Sequence, residues 1–78
     1  MNRIDLKNIL DKEGISPQSY SLDGPQGVDS AYVLEERFGT WFVYFFEKGK
    51  KGNEQIFGNE DEACQYYLDK ILRDPDSK

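Results

Sequence analysis

The stretch Thr40–Glu47, Thr-Trp-Phe-Val-Tyr-Phe-Phe-Glu, is apolar on both sides of any strand that it forms. Successive side chains of a strand point to opposite faces, so odd-numbered and even-numbered positions separate. The two sets are Trp41, Val43 and Phe45 on one face, and Phe42, Tyr44 and Phe46 on the other. We expect the first set to lie in the core, which leaves the second set to be covered in some other way.

A β-hairpin is predicted around this stretch. Ala31–Arg37 is a second β-rich run, and Phe38-Gly39 between the two runs indicates a two-residue turn in which the glycine supplies a positive φ. The register pairs Glu36 with Trp41, Leu34 with Val43 and Tyr32 with Phe45 on one face, and Glu35 with Phe42, Val33 with Tyr44 and Ala31 with Phe46 on the other. A shift of one residue would exchange the two faces.

Helical patterns flank the hairpin. Residues 2–13 carry apolar side chains at helical spacing, and Gly14 follows where a helix commonly ends. Asn59, followed by three acidic residues, has the pattern of a helix start, and an apolar stripe that includes Cys64 and Tyr67 comes after it. We therefore expect a helix at each end of the chain.

The remaining segments complete the predicted fold. Residues 15–29 are rich in turn formers and form a long connection with a brief extended piece at Tyr20–Leu22, and a turn at 48–53 leads into a short strand at Glu54–Phe57. The prediction is a single α+β domain over residues 1–73, with an N-terminal helix, an antiparallel β-meander of three or four strands, and a C-terminal helix packed on the sheet. Residues 74–78 are expected to fray.

The charge balance argues against nucleic acid as a partner. The 78 residues include 15 acidic and 10 basic side chains, which gives a net charge of −5. A protein that binds a polyanion needs Lys and Arg to neutralise phosphates, whereas an acidic surface attracts a basic protein. No apolar run is long enough to span a membrane and the first residues mix charges, so we expect a cytoplasmic protein with no membrane partner.

Most components of catalytic and metal sites are missing from the composition. The chain has no His and one cysteine, Cys64, which excludes a His-based nucleophilic triad and an internal disulfide and leaves a zinc site almost no ligands. Cys64 lies in an apolar helix stripe, where an inert buried thiol is expected. Glu35, Glu36 and Glu47 are candidates for a carboxylate pair, but the chain leaves little room for a substrate cleft. We expect no enzyme activity and no catalytic, cofactor or metal site.

The even-numbered face of Thr40–Glu47 is the candidate binding surface. If it were open, its rings would form a patch near the largest that an ordinary monomer carries. Its cover is the rest of the chain (helices on both faces, or the long loop), a second copy in a homodimer, or a different protein. For a different protein, the predicted contacts are aromatic anchors with an acidic rim: Phe42, Tyr44 and Phe46 with Glu35, Glu47, Asp23 and Asp29.

The middle of the chain, residues 20–72, resembles a known group of proteins. The positions that carry the resemblance are Tyr32-Val33-Leu34-Glu35, Gly39, Trp41, Val43-Tyr44, Glu47, Gly49, Phe57, Glu62-Ala63-Cys64 and Tyr67. In these positions the chain is similar to small bacterial immunity proteins, or immunity-like proteins, encoded beside polymorphic toxins. It departs from their pattern at Phe45, Phe46 and Lys48, where that pattern favours tyrosine, serine and arginine. A serine in place of Phe46 suits an open even-numbered face.

The resemblance implies a function that needs no chemistry. Such proteins bind the toxin domain tightly and block its active site or a nearby surface, and many of these toxins are nucleases with basic substrate-binding surfaces. The expected partner is therefore a cognate toxin domain, and analogy favours a basic domain and a nuclease. A general protein-interaction or regulatory module with no toxin partner and a minimal carboxylate-dependent enzyme are the alternatives.

Overall fold

The computed structural model describes residues 1–24 and 30–73. The elements in chain order are α1 (Arg3–Lys12), a 3₁₀ turn (Pro17–Ser19), β1 (Tyr20–Ser21), β2 (Ser30–Arg37), β3 (Thr40–Glu47), β4 (Lys50–Phe57) and α2 (Glu60–Arg73). The predicted α+β class, with a helix at each end and the sheet between them, is confirmed. The predicted frayed tail, residues 74–78, lies outside the described residues.

Both helices begin at side chains that cap them. The Asn2 side chain accepts a hydrogen bond from the Asp5 amide at 2.9 Å, and the Asp5 carboxylate accepts one from the Asn2 amide at 3.4 Å. At the start of α2, the Asn59 side-chain oxygen accepts from the Glu62 amide at 2.8 Å. Gly14, at φ 75°, follows α1 as predicted. Among the residues described, no helix is long and apolar enough to cross a membrane.

The β2–β3 hairpin has the predicted register. Leu34 lies opposite Val43 and Glu35 lies opposite Phe42, so the faces separate as expected. The turn residues Phe38 and Gly39 have φ of 52° and 79°, both in the left-handed region that a two-residue hairpin turn requires.

The sheet differs from the predicted antiparallel meander in two respects. Its order is β1-β2-β3-β4, but β1 runs parallel to β2, with Tyr20 opposite Tyr32, so the sheet is mixed. A tight turn forces the next strand to run antiparallel to the first. The connection between β1 and β2 has eight residues and does not impose that reversal. β4 is also longer than predicted, because its turn is only Lys48-Gly49 and the strand continues through a register shift beside Asn53, at φ 54°.

The main core lies between one face of the sheet and both helices. We call this side the helix-covered face. Its buried residues are Leu6 and Leu10 of α1, Ile15, Leu34 of β2, Trp41 and Val43 of β3, and Ala63, Cys64, Tyr67 and Ile71 of α2. Trp41 and Val43 are therefore core residues as predicted, whereas Phe45 is half-buried and packs edge-on against Tyr32, with 5.0 Å between ring centroids. The arrangement with one helix on each face is wrong.

Candidate protein-binding surface

In residues 1–24 and 30–73, both helices lie on the helix-covered face, and we call the opposite side of the sheet the outer face. Strand alternation and the cross-strand pairs place on it, beside the small buried residues Ala31 and Val33, the side chains of Glu35 and Arg37 of β2, Phe42, Tyr44 and Phe46 of β3, and Lys51, Glu54 and Ile56 of β4. Aromatic rings therefore occupy the central strand of this surface, and charged side chains lie on the strands beside it. This composition is typical of protein-protein contacts, in which Tyr, Phe and Arg are enriched.

Long cations lie across the aromatic rings of the outer face. The Arg37 guanidinium carbon is 4.7 Å from the centroid of the Phe42 ring, and the Lys51 ammonium is 4.8 Å from the centroid of the Tyr44 ring. Both distances suit a cation–π interaction, and the aliphatic stems of Arg and Lys cover apolar surface while their charged ends stay near water. The sheet thus covers part of its own outer face with side chains that can move away.

Glu35 joins two of these groups. Its carboxylate accepts a hydrogen bond from the Tyr44 hydroxyl at 2.8 Å and lies 3.1 Å from Nε of Arg37. Burial, followed by the hydrogen bond to this carboxylate, raises the pKa of Tyr44 well above its usual range. The tyrosine hydroxyl is therefore the donor in this hydrogen bond.

Tyr44, one of the predicted partner contacts, is buried within the folded chain. Tyr44 is 1 % exposed, and the outer-face neighbours Val33 and Ala31 are 0 % and 2 % exposed. Tyr44 lies in the middle of the central strand, where neighbouring strands and the Lys51 side chain enclose its ring. A partner therefore reaches Tyr44 only if those side chains move. Phe42 and Phe46 are half-buried and retain accessible surface.

Of the predicted acidic rim residues that the structure describes, Glu35 lies on the outer face beside the aromatic rings, and Glu47 and Asp23 do not. Glu47 is exposed but has an odd number, so strand alternation places it on the side of Trp41. Asp23 forms an ion pair of 3.4 Å with Arg3, whose guanidinium also lies 5.3 Å from the Trp41 ring centroid. Asp29 lies outside the described residues.

Two exposed apolar side chains that the sequence reasoning missed adjoin this surface. Ile56 is 64 % exposed and lies directly opposite Phe42. Phe38, in the β2–β3 turn, is 102 % exposed, the highest value among the exposed large hydrophobic residues of the described chain. The signal was present in the sequence, because this turn position favours Asn, Asp or Gly and a phenylalanine there is unusual.

The carboxylates considered for catalysis do not converge. Glu35 and Glu36 are adjacent in β2 and point to opposite faces. Glu47 pairs with Ser30, at the other end of the hairpin. Within residues 1–24 and 30–73, no group of three or more His, Cys, Asp or Glu could hold a metal ion. The described geometry thus supplies neither a pair of acids across a cleft nor a metal centre.

A recess lies on the helix-covered face at the edge of α2. It has a volume of 230 Å³, and the described residues that line it include Tyr32, Phe45, Tyr66, Asn53 and Lys70. This volume is below the usual range of small-molecule pockets, about 300–1,000 Å³. The recess is therefore small for a small-molecule site.

Cys64 is a buried structural residue. It is 0 % exposed in the core, and burial raises the pKa of its thiol to about 11. Both effects keep the sulfur protonated and away from reagents, so it has neither the thiolate character nor the access that a nucleophile needs.

Comparison of the chain with protein-family models, with curated proteins and with solved structures found no match.

Proposed function

We propose that this chain is an immunity-type protein, which binds a cognate toxin domain in the cytoplasm of the producing cell and blocks the toxin's active site or a nearby surface. The observation that carries the proposal is the outer face, which none of the described helices covers and which presents Phe42 and Phe46 with Ile56 beside them. The resemblance of residues 20–72 to immunity proteins supplies the kind of partner.

Neutralisation of this kind needs binding and no reaction. A protein inhibits an enzyme by occupying its surface, and the quality of the inhibitor depends on apolar anchors and a low dissociation rate. The outer face supplies anchors on strands, which hold them more rigidly than loops do. The cations over Phe42 and Tyr44 offer hydrogen-bond donors to the edge of the same contact.

The net charge supports a basic partner. At −5 the chain repels phosphate and attracts a positively charged protein surface over a distance of about one Debye length, ~10 Å at 0.1 M salt. A domain that binds nucleic acid presents such a basic surface, so a nuclease toxin fits this charge. Attraction of this kind speeds association more than it tightens the final complex.

Co-expression tests the proposal. We expect the gene immediately upstream to encode a large secreted protein. The probe is the C-terminal domain of that protein, produced from an inducible promoter in a host that lacks this chain. We expect the domain alone to stop growth and wild-type chain to restore it, with binding of the two purified proteins in calorimetry. A toxic domain that the wild-type chain neither binds nor neutralises would refute the proposal.

Matched variants connect protection to the outer face. Phe42→Ala and Phe46→Ala remove apolar anchors there, whereas Ile4→Ala removes an apolar side chain that is 72 % exposed on α1. We expect the two phenylalanine variants to weaken binding by about 1–3 kcal/mol each and the Ile4 variant to leave it unchanged. An upstream domain that binds the chain but is harmless alone would favour the general interaction module.

A further inference from the structure

Phe38 has a strained backbone conformation, and packing of its side chain within the fold does not offset that strain. Its φ of 52° lies in the left-handed region, where a bulky side chain is an outlier, and its side chain is 102 % exposed. In the described part of the chain it forms no aromatic or cation–π contact. The folded monomer accepts the strain and gains no packing from the ring. Strained exposed residues of this kind are concentrated at binding sites.

The turn between β3 and β4 has the same backbone conformation and carries a polar side chain at its first position. Lys48 and Gly49 have φ of 49° and 81°, close to the values of Phe38 and Gly39. Lys48 presents a charge to water, which an exposed turn tolerates, whereas Phe38 presents an apolar ring. The difference between the two turns therefore lies in the side chain and not in the backbone.

Phe38 lies beside other accessible apolar groups. Arg37, the residue before it, covers the Phe42 ring, and Ile56 lies opposite Phe42 on β4. Phe38, Phe42 and Ile56 thus occupy one end of the sheet, with Ile56 64 % exposed and Phe42 half-buried. We call these three residues the tip patch.

Acidic side chains surround this end of the sheet. Glu36 adjoins the turn, and its carboxylate accepts a hydrogen bond from the Gly39 amide at 2.7 Å. The first turn of α2 holds Glu60, Asp61 and Glu62 and begins three residues after Phe57, the cross-strand neighbour of Trp41. Glu60 and Asp61 have cationic partners within the chain.

The other end of the sheet has the opposite charge. Lys48, Lys50 and Lys51 lie at the β3–β4 turn, and a partner placed there would meet cations. The lysines therefore cluster at one end of the strands, whereas the end that holds the tip patch carries Glu36 and Glu62 together with Arg37.

On this basis, and relying on the proposed function, we infer that the tip patch is the anchor of the toxin contact. Phe38 enters an apolar recess of the toxin domain, and the rim of that recess is basic, facing Glu36 and Glu62. A strained turn is well suited to this role, because it holds a single ring rigidly outside the body of the protein and binding orders little else.

Paired turn variants test the inference. Phe38→Asn and Lys48→Asn place asparagine, which favours left-handed φ, in two turns of the same type, so both relieve the same backbone strain. The probe is the upstream C-terminal domain used above, made catalytically inactive. We expect Phe38→Asn to raise the dissociation constant 10- to 100-fold, mostly through faster dissociation, and Lys48→Asn to change it less than twofold.

Variants that each remove one charge test the proposed basic rim of the toxin recess. Glu62→Gln should slow association at low salt and flatten the dependence of the association rate on salt, whereas Lys50→Gln should not slow it. Equal association rates for wild type and Glu62→Gln would overturn the basic rim.

The outcomes separate this inference from the proposed function. If the wild-type chain binds and neutralises the domain but Phe38→Asn does so equally well, Phe38 is not the anchor and the proposed function stands. If wild type does not bind, both fail. A wild-type chain that dimerises in sedimentation at micromolar concentration, while Phe38→Asn stays monomeric, would also overturn the inference in favour of a second copy as the occupant.

Discussion

The two faces of the sheet bury aromatic side chains of one strand, β3, by different means. On the helix-covered face, Trp41 is enclosed with residues of α1 and α2 and is 9 % exposed. On the outer face, Tyr44 is 1 % exposed with the Lys51 ammonium over its ring, and neither α1 nor α2 lies on this side. Low exposure of a side chain alone therefore does not show which face of the sheet is required for folding.

The two covers differ in how easily they are removed. Displacing a helix means unfolding the domain, because the helices share their apolar residues with the sheet. Displacing Arg37 from Phe42 means only a rotamer change and the loss of a 3.1 Å contact with Glu35, a partly exposed ion pair that contributes little. The Phe42 ring can therefore be uncovered while the fold is kept.

The largest expected effect is a contrast in stability between Trp41→Ala and Phe46→Ala. Trp41→Ala leaves a cavity between the sheet and both helices and should cost about 3–5 kcal/mol of unfolding free energy. Phe46 is half-buried, so Phe46→Ala should cost about 1 kcal/mol. Urea unfolding followed by far-UV circular dichroism measures both. Equal losses would show that the outer face is as structural as the helix-covered one.

The second prediction concerns the thiol of Cys64, which reports on the helix-covered face. The thiol is buried and its pKa is raised to about 11, so at pH 8 it should react with a disulfide reagent at least ~10³-fold more slowly in the folded protein than in urea. Trp41→Ala should abolish most of this protection, while Phe42→Ala should preserve it. A folded thiol that reacts at the unfolded rate would contradict the closed core.

The sequence predicted what local rules control. Two β-rich runs around Phe38-Gly39 determine a hairpin and its register, and the register determines that Trp41 and Val43 share a face. Capping at Asn59 places the start of α2. Each of these features depends on residues close together in the chain.

Features that depend on distant segments of the chain were not predicted from the sequence. The two-residue strand β1 pairs with β2 in parallel because the eight residues between them impose no reversal, and no local pattern encodes that path. The position of Lys51 over Tyr44 depends on the register shift beside Asn53. By contrast, the face on which Glu47 lies follows from strand alternation. The sequence alone therefore places Glu47 on the face opposite Phe42 and Phe46.

The third prediction measures the removable cover directly. A double-mutant cycle with Arg37→Ala and Phe42→Leu keeps an apolar side chain at position 42 but removes the aromatic face. We expect a coupling energy of about 0.5–1 kcal/mol between the two sites in urea unfolding. Arg73, which pairs with Asp69 on α2, gives the control, and Arg73→Ala with Phe42→Leu should be additive. A coupling of zero between Arg37 and Phe42 would show that the cation does not hold its place over the ring.

The smallest expected effect is at the two turns at opposite ends of the outer face. Because Phe38 and Lys48 both have left-handed φ, replacing either with Asn should raise the unfolding free energy by about 0.5–1 kcal/mol, and the two gains should be similar. Gly39→Ala is the opposing control and should lose stability, since its φ is 79°. Urea midpoints at constant m-value measure all three variants. A loss of stability in Phe38→Asn alone would mean that the Phe38 ring stabilises the folded monomer. The β2–β3 turn would then belong with the helix-covered face, whose side chains the fold requires, and not with the replaceable side chains of the outer face.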